Sequence, residues 1–257
     1  MEILGVFLFA LLGLAVGSFL NVCIDRLPKN ESIVNPPSHC SVCQHRLAVR
    51  DLIPVFSYLS LRGRCRYCQA SIPWKLLWVE LATGLIFAFL YWYYGLSPAL
   101  GIMAFYACLF IIISVIDLEH GLILNKVVYP SMVVALLLAL IPQPWLAERL
   151  VDRVANVALG GGIGFGIFFL IAIASRGGMG WGDVKLAGLI GLATGFPLVF
   201  FSVILGAILG AVVAVALVVA KKRTFKETLP FGPFLALAAV VTLLWGSNIL
   251  NWYLGLM

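Results

Sequence analysis

Long apolar runs alternate with short polar breaks along the chain, and one polar stretch, 25 to 75, is far longer than the others. A helix needs about 20 apolar residues to cross a hydrocarbon core. Scanning for such runs predicts spans near 3–24, 76–94, 99–116, 127–141, 154–174, 186–197, 199–220 and 231–254. The sixth is short and runs into Gly195-Phe196-Pro197, the pattern of a bent or half-buried helix. The expected fold is an all-α polytopic membrane protein of about eight transmembrane helices, with a cytoplasmic cysteine-rich loop domain between helices 1 and 2. This divides the chain into a first helix (1–24), the cysteine-rich domain (25–75) and a membrane domain (76–257). The first run continues past twenty residues to Asp25, Arg26 and Pro28 with no small-residue cleavage pattern, so it reads as a retained helix.

Composition points the same way. Hydrophobic residues make up 63% of the chain and charged ones 11%, with a mean hydropathy of +1.08, whereas about a quarter of a soluble domain is charged. A disordered chain, a fibrous repeat and a small disulfide-stapled module are excluded. The net charge of +6 would raise the question of nucleic acid in a soluble protein. In a polytopic one it reports topology and contact with anionic lipid, because Lys and Arg collect in cytoplasmic loops. With the N-terminus outside, the loops at 25–75, 117–126, 175–185 and 221–230 face the cytoplasm and carry 8, 1, 2 and 4 basic residues. That places 15 of 17 inside and leaves Arg149 and Arg153 outside. Lipid is thus an expected partner and nucleic acid is not.

Glycines crowd the fifth span at 160, 161, 162, 164 and 166, and Gly206 precedes Gly210 by four residues. Inside apolar segments this spacing suggests close helix packing. Trp92, Tyr93, Tyr94, Trp145, Trp252 and Tyr253, near span ends, read as interfacial anchors.

Four of the six cysteines form a double C-x-x-C, Cys40–Cys43 and Cys65–Cys68, in the polar loop. Each turn supplies two thiolates, and two such turns close a tetrahedral zinc site. Two disulfides are the competing reading, which a reducing cytoplasm disfavours. Cys23 and Cys108 lie in apolar spans as small hydrophobes, and His39 and His45 read as solvated loop residues.

Most acidic residues sit in loops, but Glu80, Asp117, Glu119 and Asp183 fall at or near hydrocarbon, where an ionised carboxylate is expensive. Asp117 leaves the membrane and Asp183 enters it on the same side, so the two share a depth. Held close, one keeps its proton while the other stays charged, the arrangement of an aspartic protease. The plainer reading is that each terminates a helix or pairs with a neighbour such as Lys185. Around Asp183 the sequence Gly177-Gly178-Met179-Gly180-Trp181-Gly182 exposes backbone against which an extended peptide could lie.

Gly180-Trp181-Gly182-Asp183 with Val184-Lys185-Leu186 resembles the second catalytic motif of the type IV prepilin peptidases. Ile116-Asp117-Leu118-Glu119, with Asn125 after the turn, is similar to the family's first aspartate motif. Gly17-Ser18-Phe19-Leu20-Asn21-Val22 and Arg26-Leu27-Pro28 resemble its opening signature, and the double C-x-x-C through Arg62-Gly63-Arg64-Cys65-Arg66-Tyr67-Cys68, ending near Glu80, its bifunctional members.

The resemblance implies a peptidase of the bacterial inner membrane, facing the cytoplasm, that removes the basic leader of type IV prepilins and pseudopilins. It implies methylation of the freed amine by S-adenosylmethionine. Asp117 and Asp183 become the catalytic pair; Gly180, Gly182 and Lys185 contact substrate; Cys40, Cys43, Cys65 and Cys68 belong to the segment linked to methylation. Asn21, Arg26 and Glu80 are candidates for lining the methyl-donor site. The alternatives are a peptidase without methylation, a protease of the presenilin kind, and a proton-coupled transporter with a regulatory zinc loop. The presenilin kind carries a Tyr-Asp motif where Ile116-Asp117 stands here.

Overall fold

The computed structural model describes residues 2–146, 149–175, 178–221 and 229–255. Gly177 of the glycine run, Arg176, and the basic residues Lys222, Arg223 and Lys226 lie outside the described residues. All eight apolar runs form helices: α1 (Glu2–Arg26), α3 (Trp74–Tyr94), α4 (Pro98–His120), α5 (Asn125–Leu138), α6 (Leu150–Ala174), α7 (Trp181–Thr194), α8 (Leu198–Val219) and α9 (Gly232–Gly255). The short α2 (Phe56–Ser60) and a 3₁₀ turn (Val49–Leu52) lie in the polar loop. Among the described residues there is no named strand, only isolated bridges His39–Arg46 and Arg64–Ser71.

Six helices, α1, α3, α4, α6, α8 and α9, are long and apolar enough to cross a membrane. The chain is therefore a multi-pass membrane protein. α5 and α7 have 14 residues each, a length of about 21 Å against a core of about 30 Å, so the expected count of eight full crossings is not established. α5 carries Pro130. Its C-terminal carbonyls are closed by a side chain from elsewhere: Arg153 donates Nε to Ala139 O at 3.2 Å and Nη2 to Leu140 O at 3.3 Å. Arg153, expected in an outside loop, is buried.

The chain divides into two compact units, 1–112 and 113–257, the boundary falling within α4. In the first, α1 and α3 pair antiparallel. Gly5 faces Tyr91, Gly13 faces Phe87 and Gly84, Gly17 faces Glu80, and Asn21 Nδ2 reaches Leu76 O at 3.0 Å. An ion pair, Lys75 Nζ to Asp25 Oδ1 at 2.8 Å, marks the end of the pair that carries the polar loop. Lipid chains are as apolar as leucine, so helices associate in a bilayer through close packing rather than hydrophobic burial. A Cβ on Gly13 or Gly17 would meet α3 backbone at 2.7 or 2.8 Å.

The second unit is built around α7, which packs against α5, α6, α8 and α9. Val184, Leu186, Ala187, Leu189 and Ile190 are fully buried, which explains a helix apolar on every side. Backbone contact with α6 makes this possible. Gly160 and Gly191 face each other so closely that a Cβ on either would strike the other's carbonyl, and Gly164 lies against Ala187 O. The packing role expected of the glycine run holds for 160, 161 and 164, whereas Gly162 and Gly166 face open space. Trp145, expected at the interface, is buried with its Nε1 donating to Ala193 O at 3.2 Å.

Candidate active site

Asp117 sits in the last turn of α4 and is 5% exposed. Its Oδ2 accepts the backbone N–H of Gly232 at 2.9 Å. Gly232 is the first residue of α9, reached through Pro230-Phe231 and followed by Pro233. Pro233, the next residue, fixes its own φ and offers no N–H, so the amide of Gly232 is the last donor before it and meets Asp117 at this helix start. A side chain there would push the carboxylate aside: a Cβ on Gly232 would come within 2.7 Å of Asp117 Oδ2.

Asp183 stands in the first turn of α7, after the N-cap residue Gly180. Burial pushes its carboxyl up to about 6, and the charge of Asp117 adds to the rise. The two carboxyl groups, 66 residues apart in sequence, are therefore near enough to act on each other. Gly180 and Gly182 shape the approach. A Cβ on Gly180 would lie 3.6 Å from Asp183 Oδ2, and one on Gly182 would collide with Ile123 at 2.9 Å. Lys185 bonds to Asn125 Oδ1 at 2.7 Å and lies 5.7 Å from the centre of the Tyr129 ring. Its described contacts are thus with α5, not with Asp183. Glu119 is exposed at the end of α4.

The cysteines form a second cluster. Each C-x-x-C turn is followed by a glutamine at positive φ, Gln44 at 58° and Gln69 at 59°. Each closes through the same bonds: Cys40 N to His45 O and Leu47 N to Ser38 O in one, Cys65 N to Ala70 O and Ile72 N to Gly63 O in the other. Two copies of one knuckle thus face each other, with the His45 and Tyr67 rings tilted at 34° and their centres 3.7 Å apart. All four thiols are unpaired, and their sulfurs lie within 4.8 Å of one another. A tetrahedron with Zn–S bonds of about 2.3 Å has S···S edges of about 3.8 Å; Cys40 Sγ and Cys68 Sγ are 3.8 Å apart. The donor set fits a structural zinc ion. Backbone N–H groups of Cys43 and Val42 hold the Cys40 thiol down at about 6, favouring the thiolate that binds metal.

Asn21, Arg26 and Glu80 are all buried in the first unit. Asn21 reaches Leu76 O, Arg26 Nη1 donates to Ser32 O at 2.9 Å, and Glu80 Oε2 accepts the N–H of Val55 at 2.7 Å. Asn21 and Glu80 share the α1–α3 seam, while Arg26 ends α1. The expectations from sequence did not include Gly232. Its signal was Pro230-Phe231-Gly232-Pro233 directly before an apolar run, visible only as a helix start until Asp117 was found beside it.

Comparison with known proteins gives a consistent result. Residues 11–94 match the bacterial peptidase A24 N-terminal domain, and residues 103–215 match the type IV leader peptidase family. A prepilin leader peptidase/N-methyltransferase from Stutzerimonas stutzeri is 31% identical over 95% of this chain and 91% of its own. Proteins of the same name from Pseudomonas aeruginosa and Bacillus subtilis are each 32% identical, over 95% and 94% of this chain and 91% and 95% of theirs. No solved structure matches the chain.

Proposed function

Because the chain belongs to the type IV leader peptidase family, we propose that it cleaves the leader of type IV prepilins and pseudopilins and then methylates the new N-terminus, with Asp117 and Asp183 as the catalytic pair. What supports the pair most directly is that two separate helices of one unit deliver them, Asp117 from the end of α4 and Asp183 from the start of α7, with the charge of Asp117 adding to the rise at Asp183. The roles divide by their hydrogen bonds. Asp117, whose Oδ2 already accepts an amide N–H, is the ionised member and the general base. Asp183 carries the shared proton.

Water between the two transfers a proton to Asp117 as its oxygen attacks the scissile carbonyl carbon. Asp183 gives its proton to the carbonyl oxygen. The C–N bond then breaks as the leaving amine takes the proton from Asp117, and Asp183 regains its own from the diol hydroxyl as the new carboxyl group forms. Gly180 leaves room for an extended peptide beside Asp183, Gly182 lets Ile123 pack close and is proposed to offer its backbone to the substrate, and Lys185, held by Asn125, offers a cation to it. The site opens to the cytoplasmic face of the bacterial inner membrane, where the junction of a basic leader and an apolar helix comes to rest.

For the second activity, residues 25–75 form the segment linked to methylation. Cys40, Cys43, Cys65 and Cys68 would hold zinc and lock the two knuckles together. S-adenosylmethionine supplies an electrophilic methyl group on a sulfonium. Asn21, Arg26 and Glu80 are proposed to line its site, and the common seam of Asn21 and Glu80 supports that grouping. A prepilin-processing assay tests the central assignment: Asp117→Ala and Asp183→Ala are each expected to abolish cleavage, and processing at the wild-type rate by either variant overturns it. Mass spectrometry of the mature product tests methylation.

A further inference from the structure

The polar loop between α1 and α3 is not wholly a water-facing domain. Asp25 and Lys75 pair at 2.8 Å where α1 ends and α3 begins, and Trp74 and Trp78 are exposed beside them. Charged pairs and exposed tryptophans mark a membrane boundary. Part of the loop passes below it. Val55 donates its N–H to Glu80 Oε2, and the same carboxylate accepts a hydrogen bond from Ser18. Ser18 precedes Asp25 by seven residues, about 10 Å along the helix axis. Val55 is thus held on the bilayer side of the ion pair.

The backbone there is a sharp point. Val55 has φ 60° and ψ −50°, and Phe56 N bonds Pro54 O across it, a γ-turn of the rare positive-φ kind. A β-branched residue in this region persists only where its surroundings over-determine it, and the Glu80 bond supplies that constraint. The other end is tied to the cysteine knuckles by Asp51, which pairs with Arg66 at 2.7 Å and accepts from Tyr67 at 3.1 Å. Between these ties the chain turns apolar side chains outward. Val49 is 85% exposed, Phe56 66% and Leu59 62%, with Leu52 and Ile53 also exposed. Arg50, Arg62 and Arg64 are exposed alongside.

We infer that Val49–Leu59 is an interfacial wedge, with Phe56 and Leu59 among the acyl chains of the leaflet beside α3 and the three arginines on anionic head groups. Apolar side chains flanked by basic ones are the composition of a segment lying about 5–10 Å into the interface. The depth set by Ser18 and Glu80 agrees with it. A loop tethered at both ends to membrane helices needs no other partner to cover this face. The wedge fixes where the knuckles stand relative to the lipid surface, whatever reaction they serve.

The test uses the full chain in phosphatidylethanolamine–phosphatidylglycerol vesicles containing a phospholipid with a diazirine in its acyl chain. After photolysis, peptides covering 49–59 should carry lipid label, as should the exposed face of α1 at Phe7, Leu8 and Leu11. Label on α1 with none on 49–59 overturns the inference. A variant with Phe56→Glu and Leu59→Glu should lose label at 49–59 several-fold with α1 labelling unchanged, and undiminished label there overturns it too. If added prepilin displaces the lipid label and cross-links to 49–59 instead, the face belongs to substrate and the inference fails. None of these readouts depends on cleavage.

Discussion

Glu80 and Asp117 are buried alike in different units of the protein, and only Asp117 is proposed to be reactive. Each is a buried carboxylate on a membrane helix, and each accepts one backbone N–H, from Val55 at 2.7 Å and from Gly232 at 2.9 Å. At Glu80 the donor comes from a strained loop tip and a serine completes the shell, so the carboxylate acts as a fastening for the loop. At Asp117 the donor comes from a helix start and the neighbouring group is a second carboxyl, Asp183. The second carboxyl beside it is what marks Asp117 as the proposed member of a proton-sharing pair.

The largest effect expected from this difference is in cleavage. Asp117→Asn or Asp183→Asn should lower kcat/KM by ~10³-fold or more, whereas Glu80→Gln should cost methylation more than cleavage. The two activities are read on one substrate by gel shift and product mass. Equal loss of cleavage from all three variants would erase the distinction. Next comes Gly232→Ala, whose methyl group must displace the Asp117 carboxylate; a misplacement of about 1 Å can cost ~10²-fold. Gly162→Ala, facing open space in α6, should stay within about twofold of wild type because its methyl group meets nothing.

The pH profile follows in size. A carboxyl raised to about 6 holds its proton up to that pH and loses it above, so kcat/KM should fall on the alkaline side. The limb should begin near 6 and approach tenfold per unit. A flat profile from pH 5 to 8 would remove the proton from Asp183. Among the proposed functional groups, the knuckles are expected to matter least for cleavage. Metal analysis should find about one zinc per chain, and Cys65→Ser should lower that content while affecting methylation before cleavage. An absence of zinc with the four cysteines oxidised would replace the metal with disulfides.

Much of the site was legible in the chain because each of its parts is local. Gly180-Trp181-Gly182-Asp183 and Ile116-Asp117 are contiguous, and a C-x-x-C turn is complete within four residues. Gly232 was not legible, since its function depends on a partner 115 positions away. Arg153 looked like a loop charge because nothing near it in sequence shows that α5 ends at Leu138 with carbonyls to satisfy. Trp145 looked like an interfacial anchor for the same reason: the carbonyl it serves lies on α7.

Sequence by itself determined the membrane character and the helical class, and it named the paired aspartates and paired C-x-x-C turns as candidates, because hydropathy over 20 residues and motif spacing are properties of a short stretch of chain. The tertiary structure alone decided where each helix starts and stops, which glycines touch backbone and which face nothing, and which amide meets each buried carboxylate. Those outcomes depend on pairwise distances between segments far apart in the chain, where a contact of 2.7 Å and a gap beyond 4 Å are written with the same letters.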